Sequence, residues 1–369
     1  MSTPGTRVRP YRSEDKSEVL PIVERVYDLC VRRRHEFLWD WLQSCPTMKH
    51  DEDHVPVVVQ RDGRVVGYTG VLRRRFKIGS QVVYGGFLVD SFTSPESRGA
   101  GIILLRHLIE RTDLLMGATN ERFSGLWCKM LDRKNLKAFQ VQKAVRLVDP
   151  SALLPRAWRG HFGWAARSLA GACELAIRAT GPRLRAARLE SVDRFPPEVE
   201  AFCVRWTEAR RNTAVRDREY LDWRFCACPV GYRKRLLWSR GRLAGLVVYR
   251  LAEMNGRKVV LLVEILAEGP EVRRAYGSLL QDVVEYARRN RVTDIQAIDP
   301  GCLDLRESLR RWGFFFRPEY PYMVAKIKTD FGDPESIYRT ADWFVSAGDS
   351  DFEFAYFNQG LRSLEAFHG

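Results

Sequence analysis

The strongest constraint on this fold is that the chain runs through one plan twice. Phe37-Leu38-Trp39-Asp40-Trp41 leads into Cys45-Pro46, and Tyr220-Leu221-Asp222-Trp223-Arg224 leads into Cys228-Pro229, an offset of 183 residues. Arg61-Asp62-Gly63-Arg64-Val65-Val66-Gly67-Tyr68 recurs as Ser239-Arg240-Gly241-Arg242-Leu243-Ala244-Gly245-Leu246, at an offset of 178. Val89-Asp90 through Pro95 to Leu104-Leu105 recurs as Val263-Glu264 through Pro270 to Leu279-Leu280, at an offset of 175 from the proline onward. One match could be chance between apolar strands. Three in the same order, with a shrinking offset, mark a duplication whose second copy lost a few loop residues.

Each copy reads as helix, hairpin, long strand, loop, helix, strand and helix, an α/β pattern. Strands are expected at 57–60, 65–72 and 81–93 with a helix at 102–112, then at 235–238, 243–251 and 258–267 with a helix at 276–289. A length of 369 residues suits two cores, and 45% hydrophobic content argues for packed structure. The expected divisions are a first unit over 1–150, a basic helical connector over 151–195, and a second unit over 196–369 with a C-terminal extension. The stretch 151–190 carries seven arginines against Glu174 and Glu190. It has little Gly or Ser, so the two units are expected to form one rigid body.

The chemically informative segment is Pro95-Glu96-Ser97-Arg98-Gly99-Ala100-Gly101-Ile102, between an expected strand and an amphipathic helix. Glycines let the backbone turn sharply and approach a ligand, and successive N–H groups at a helix N-terminus bind phosphate. Arg98 adds a fixed positive charge. The bare string is a common surface turn, and its position between strand and helix is what gives it meaning.

These residues resemble the GNAT acyltransferase superfamily, whose pyrophosphate signature is Arg or Gln, two residues, Gly, one residue, then Gly or Ala. Arg98 and Gly101 match it, and Ile103 departs from the final small position. Asp62-Gly63-Arg64-Val65-Val66-Gly67 is similar to the family's preceding hairpin. Asn135 and Ala138 are similar to the start of its N-x-x-A helix, after an expected strand at 123–130. The resemblance implies two GNAT-like mixed-sheet units in tandem, of α/β (α+β) class, as in mycothiol synthases. Acetyl-CoA or another acyl-CoA would be held by Arg98, Gly99, Ala100, Gly101, Ile102 and Asn135. In the second copy Arg273 aligns with Arg98, but Tyr276 replaces Gly101 and Arg274 replaces Gly99, which suits pyrophosphate poorly. Arg311-Trp312-Gly313-Phe314 is similar to the family's closing Gly-Phe.

The activity implied is transfer of an acyl group to a primary amine, such as an amino sugar or another small metabolite. Asp90, on the strand entering the loop, is the candidate proton acceptor, and Glu264, its expected counterpart, is the candidate to complete the acceptor pocket. Gln142 stands where the family often has tyrosine. Uncharacterised tandem members associated with bacterial polysaccharide gene clusters are also similar. Two alternatives stay open: a non-catalytic GNAT-fold scaffold, and a Fem-type transferase using aminoacyl-tRNA.

Sixty Lys and Arg against 46 acidic residues give a net charge of +14, which draws anionic partners. No base-reading motif accompanies it, so sequence-specific nucleic-acid binding is not expected. The connector alternates Trp158, Phe162 and Trp164 with Arg156, Arg159 and Arg167, a pattern suited to peripheral contact with an anionic membrane. Scattered cysteines, no secretory signal and no apolar span point to the cytoplasm. Cys226 and Cys228 lack a second pair or a His, so no metal site is expected.

Overall fold

In a computed structural model of the chain, the described residues are 5–26, 36, 38–48, 56–118, 137–153, scattered positions from 158 to 184, 187–254, 256–299, 301–324, 336–337, 339–349 and 353. The first copy contributes β1 (Thr6–Pro10), α1 (Lys16–Val26), β2 (Val57–Arg61), β3 (Arg64–Ile78), β4 (Gln81–Thr93), α2 (Ala100–Arg111), β5 (Leu115–Ala118) and β6 (Lys137–Leu147). The second contributes β7 (Ala187–Ser191), α3 (Glu198–Glu208), β8 (Asn212–Ala214), α4 (Arg218–Phe225), β9 (Arg233–Ser239), β10 (Arg242–Met254) and β11 (Arg257–Ala267). It continues with α5 (Val272–Arg289), β12 (Asp294–Asp299), α6 (Leu303–Arg311), β13 (Phe315–Val324) and β14 (Trp343–Phe344). β7 begins ahead of Pro196-Pro197, inside the stretch read from sequence as connector.

The repeated hairpins close through equivalent turns. Asp62 and Gly63 have φ of 52° and 81°, and Arg240 and Gly241 have 51° and 73°. Two successive positive φ values define the type I′ turn, whose twist matches that of the strands it joins.

The two copies build one sheet, in the order β1-β2-β3-β4-β5-β13-β6-β12-β11-β10-β9-β7. β4 pairs parallel with β5, and β11 pairs parallel with β12. Each copy then gives its last strand to the other. β6 pairs antiparallel with β12 over six residues, β13 pairs with β5, and β6 and β13 pair with each other at the centre. The pseudo-twofold continues in the side chains. Trp41 and Trp223 stack at 4.7 Å and 11°, and each indole N–H donates to the other's carbonyl, at 3.0 and 3.1 Å. The largest apolar core accordingly draws Leu72, Phe76 and Phe87 from the first copy and Phe202, Trp206 and Leu221 from the second.

One expectation is corrected here. Ala138 lies in a strand, paired with Met323, and not at the start of an N-x-x-A helix; Asn135 and 123–130 lie outside the described residues. The stretch Phe139-Gln140-Val141-Gln142 alternates with period two, and both faces of β6 are covered, burying Val141, Ala144 and Val145.

Because the central strands are exchanged, limited proteolysis between 151 and 197 is expected to leave the fragments bound together until denaturant is added. Two fragments that separate by gel filtration and remain folded would contradict this.

Candidate functional site

The first copy's site is built where β4, still paired with β3, passes the end of its described ladder with β5. Its parallel ladder with β5 spans Gly86 to Leu88 against Leu115 to Gly117. On the other side, Gly70 pairs with Val89 and Thr69 with Ser91, so Asp90 is an extra residue, a β-bulge. Asp90 has φ of 55°, in the left-handed region that Asp and Asn tolerate better than most residues. The bulge presses β4 onto β3: a Cβ at Gly70 would lie 2.2 Å from the Val89 carbonyl oxygen, so only glycine fits there. Beside the bulge, Thr69 and Ser91 hydroxyls are 3.0 Å apart.

Past β4 the chain folds into a tight loop. The Ser94 amide donates to Val66, tying the loop to β3, and the Ser97 amide donates to Ser94. Gly99 caps α2 with φ of 83°. The amides of Ala100, Ile102 and Ile103 are bonded within this turn, at 3.2, 3.1 and 3.2 Å. Among the described residues, the amides of Arg98, Gly99 and Gly101 have no acceptor. Orphan N–H groups at a helix N-terminus form an anion site, reinforced by the positive end of the helix dipole. Arg98 is exposed and, among the described residues, makes no ion pair. Arg61 donates to the Arg98 carbonyl at 3.5 Å, adding a second guanidinium. Glu96 is turned away: the Ser94 hydroxyl donates to its carboxylate and Arg25 lies 3.5 Å from it, holding its pKa below the ordinary value. Of the expected cofactor residues, Arg98, Gly99, Ala100, Gly101 and Ile102 thus share one loop. Ala100 is fully buried and Ile102 exposed.

The second copy keeps the frame and loses these properties. β11 leaves β12 after Leu262 and Ala297, and Val263 is the bulged residue, since Val248 pairs with Glu264 and Tyr249 with Leu262. Ladder counting therefore makes Val263 the counterpart of Asp90 and Glu264 the counterpart of Ser91. The matched strings Val89-Asp90 and Val263-Glu264 are one residue out of structural register. In the first turn of α5, Arg273 is bound by Asp304 and Glu307, each at 2.7 Å. Tyr276 is buried where the first copy has Gly101, and Glu268 and Glu271 stand at the helix N-terminus.

The splay between β11 and β12 is filled by the C-terminal extension. Phe344, Ser346 and Ala347 close against Leu262, Glu264, Ile298 and Leu309, leaving a cavity of about 10 Å³. Glu264 is 2% exposed. It accepts from Arg216 at 2.8 Å and from the Ser346 hydroxyl at 2.9 Å, while Arg216 also donates to Asp349 at 2.8 Å. Burial pushes the Glu264 carboxyl upward, against the pull of Arg216. Burial alone would lower the Arg216 pKa; Asp349 and Glu264 outweigh it and raise it. From the first copy, Arg74 donates to the Asp349 carbonyl at 3.1 Å, so the extension also fastens the halves. Sequence reasoning did not find Arg216, Ser346 or Asp349; the run Gly348-Asp349-Ser350-Asp351 was the visible signal.

Gln142, in β6, accepts from Arg306 at 3.3 Å. His107, on α2, lies 3.1 Å from Arg111. Among the described residues there is no group of three or more His, Cys, Asp and Glu that could hold a metal ion.

The architecture is that of two GNAT-like mixed-sheet units in tandem, and solved structures of that fold cover most of the chain. A GCN5-related N-acetyltransferase from Anabaena variabilis ATCC 29413 aligns with a TM-score of 0.58 at 11% identity, over 86% of this chain and 72% of its own. A conserved protein of unknown function from Enterococcus faecalis V583, described as a probable N-acyltransferase, aligns at 0.55 and 12%, over 89% and 73%. Saccharomyces cerevisiae N-myristoyltransferase, solved with myristoyl-CoA and inhibitors, aligns at 0.54 and 11%, over 88% and 81%. No family profile matches the sequence, and no curated protein matches it. At these identities the likeness is one of fold.

Proposed function

We propose that the protein is an acyl-CoA-dependent N-acyltransferase in which the first copy binds the acyl-CoA and the second is structural. The observation that carries this reading is the group of three amides at Arg98, Gly99 and Gly101 that have no acceptor among the described residues, shortly after a bulged strand. Pyrophosphate would sit on these amides with Arg98 and Arg61 as counter-charges, and the thioester would lie along β4 beyond its described ladder with β5, where backbone N–H groups can polarise its carbonyl. Asp90, on the bulge, is the proton acceptor in this scheme. Glu264 is held as a structural carboxylate. The acceptor is a primary amine on a small molecule, an amino sugar being the first to try, and acetyl the first acyl group. The setting is the cytoplasm, where acyl-CoA is made.

Titration calorimetry with acetyl-CoA and longer acyl-CoAs tests the reading. One strong site per chain is expected. Arg98→Ala removes a charged hydrogen-bonding group of the kind worth roughly 1.5–3 kcal/mol, so binding should weaken about tenfold or more. Arg273→Ala, whose guanidinium is engaged with Asp304 and Glu307, should leave binding unchanged. Equal losses in the two variants, or no binding by the parent protein, would sink the assignment.

A further inference from the structure

Between the two copies lies an apolar face that the loop and bulge do not use. Helical residues occur at 158, 161, 163–165, 168, 171–172, 175 and 177. One side of this segment is seated on the second copy. Ile177 packs against the main core, and a Cβ at Gly181 would come within 3.2 Å of the Trp312 indole. The other side faces outward. Trp158, Trp164 and Leu175 are 57%, 65% and 71% exposed. At about 100° per residue, exposed positions 158, 161, 164, 168, 172 and 175 fall within an arc of about 120°, opposite Gly163 and Ile177. The exposed residues of that arc are Trp158, His161, Trp164, Ser168, Ala172 and Leu175, with Ala165 half-buried among them, and none has a fixed charge.

We propose that this face docks the protein on an anionic lipid bilayer. Charge selects the occupant. The stretch 151–190 holds seven arginines against two glutamates, in a chain of net charge +14. A second copy would bring the same positive field and be repelled, whereas an anionic surface attracts it. Tryptophan, apolar in its ring and polar at its N–H, suits the headgroup boundary, and an uncharged arc flanked by basic sequence is the pattern of a helix lying in that plane. Among the described residues no helix is long and apolar enough to cross a membrane. This inference stands independently of the acyl-transfer reading.

Co-sedimentation of the full chain with vesicles tests it, comparing phosphatidylcholine alone with phosphatidylcholine mixed with phosphatidylglycerol. Binding is expected to the mixed vesicles only, weakening as salt is raised. Trp164→Ser combined with Leu175→Ser should lower partitioning at least about tenfold with an unchanged melting temperature, which shows that the variant is folded. Failure of the parent protein to sediment with mixed vesicles would overturn the proposal. So would a double variant that binds as well as the parent, since charge alone would then explain the contact. A parent dimer in sedimentation velocity that the double variant converts to monomer would assign the face to a second copy.

Discussion

Arg216→Ala is expected to lower the free energy of unfolding by about 3–5 kcal/mol, because removing one partner of a buried ion pair strands the others in a medium that cannot solvate them. The Arg216 side chain is fully buried, and its hydrogen bonds reach Glu264, Asp349, Ser346, Thr213 and the Ala214 carbonyl. Those five bonds match the five N–H donors of a guanidinium, so alanine removes a complete set. Two carboxylates would remain in the core, with Arg74 3.6 Å from one of them. Thermal melting should show a fall of about 4–6 °C, or the variant should be recovered only as insoluble material. Glu264→Gln is the informative companion. It removes one of two negative charges around Arg216, keeps a hydrogen-bonding side chain of the same size, and leaves Asp349 to balance the guanidinium, so its cost should be far smaller. A variant at Arg216 as stable as the parent would mean that the extension is not fastened through this network. Loss of turnover in Glu264→Gln with full stability would return Glu264 to the reacting site.

The contrast between the copies has a physical logic. A splayed pair of strands exposes backbone N–H and C=O groups, which must be bonded by ligand, water or protein. The first copy keeps glycine at 99 and 101 and leaves three amides without an acceptor among the described residues. In the second, the chain itself closes the equivalent gap with Phe344, Ser346 and Ala347, and Glu268 and Glu271 near its helix N-terminus bind the arginine side chains of Arg205, Arg242 and Arg274. On the proposed reading, the second copy serves the first as wall and brace. This division explains why one loop of the repeat retains the anion-binding pattern and the other does not.

The fold was legible in the sequence wherever local chemistry decides structure. Asp62-Gly63 and Arg240-Gly241 announce their turns, and Gly99 its helix cap. The apolar runs at 65–72 and 243–251 give strands that the structure extends at both ends. The exchange of β6 and β13 between copies was not legible, because a strand's own pattern does not say which edge it joins. The same limit explains the error over Ala138, where resemblance suggested a helix although Phe139 and Val141 alternate with glutamines as a strand requires. Pairing Asp90 with Glu264 failed for a different reason. A bulge shifts the ladder by one residue without changing the string, so two similar strings can align while their side chains occupy different places. The buried cluster at Arg216 joins residues far apart in sequence, and charged residues read alone as surface unless a partner is visible.

Asp90→Asn is expected to reduce turnover by about 10²-fold or more, the scale on which a positioned proton acceptor contributes, with little change in acyl-CoA affinity. The substitution isolates basicity because asparagine shares aspartate's tolerance for positive φ and should keep the bulge intact. Binding should persist because the amides of Arg98, Gly99 and Gly101 lie beyond the bulge and do not depend on the carboxylate. The loss should shrink as pH rises: an amine acceptor that is already neutral in solution needs less help in losing its proton. Asp90→Gly separates the roles further, since glycine adopts φ of 55° without strain. If Asp90 is the proton acceptor, the glycine variant should melt at or above the parent temperature while remaining as inactive as Asp90→Asn. If the residue instead braces the strand, both variants should melt lower and turn over normally once folded. The proton would then have to pass to water or leave the amine before it enters the site.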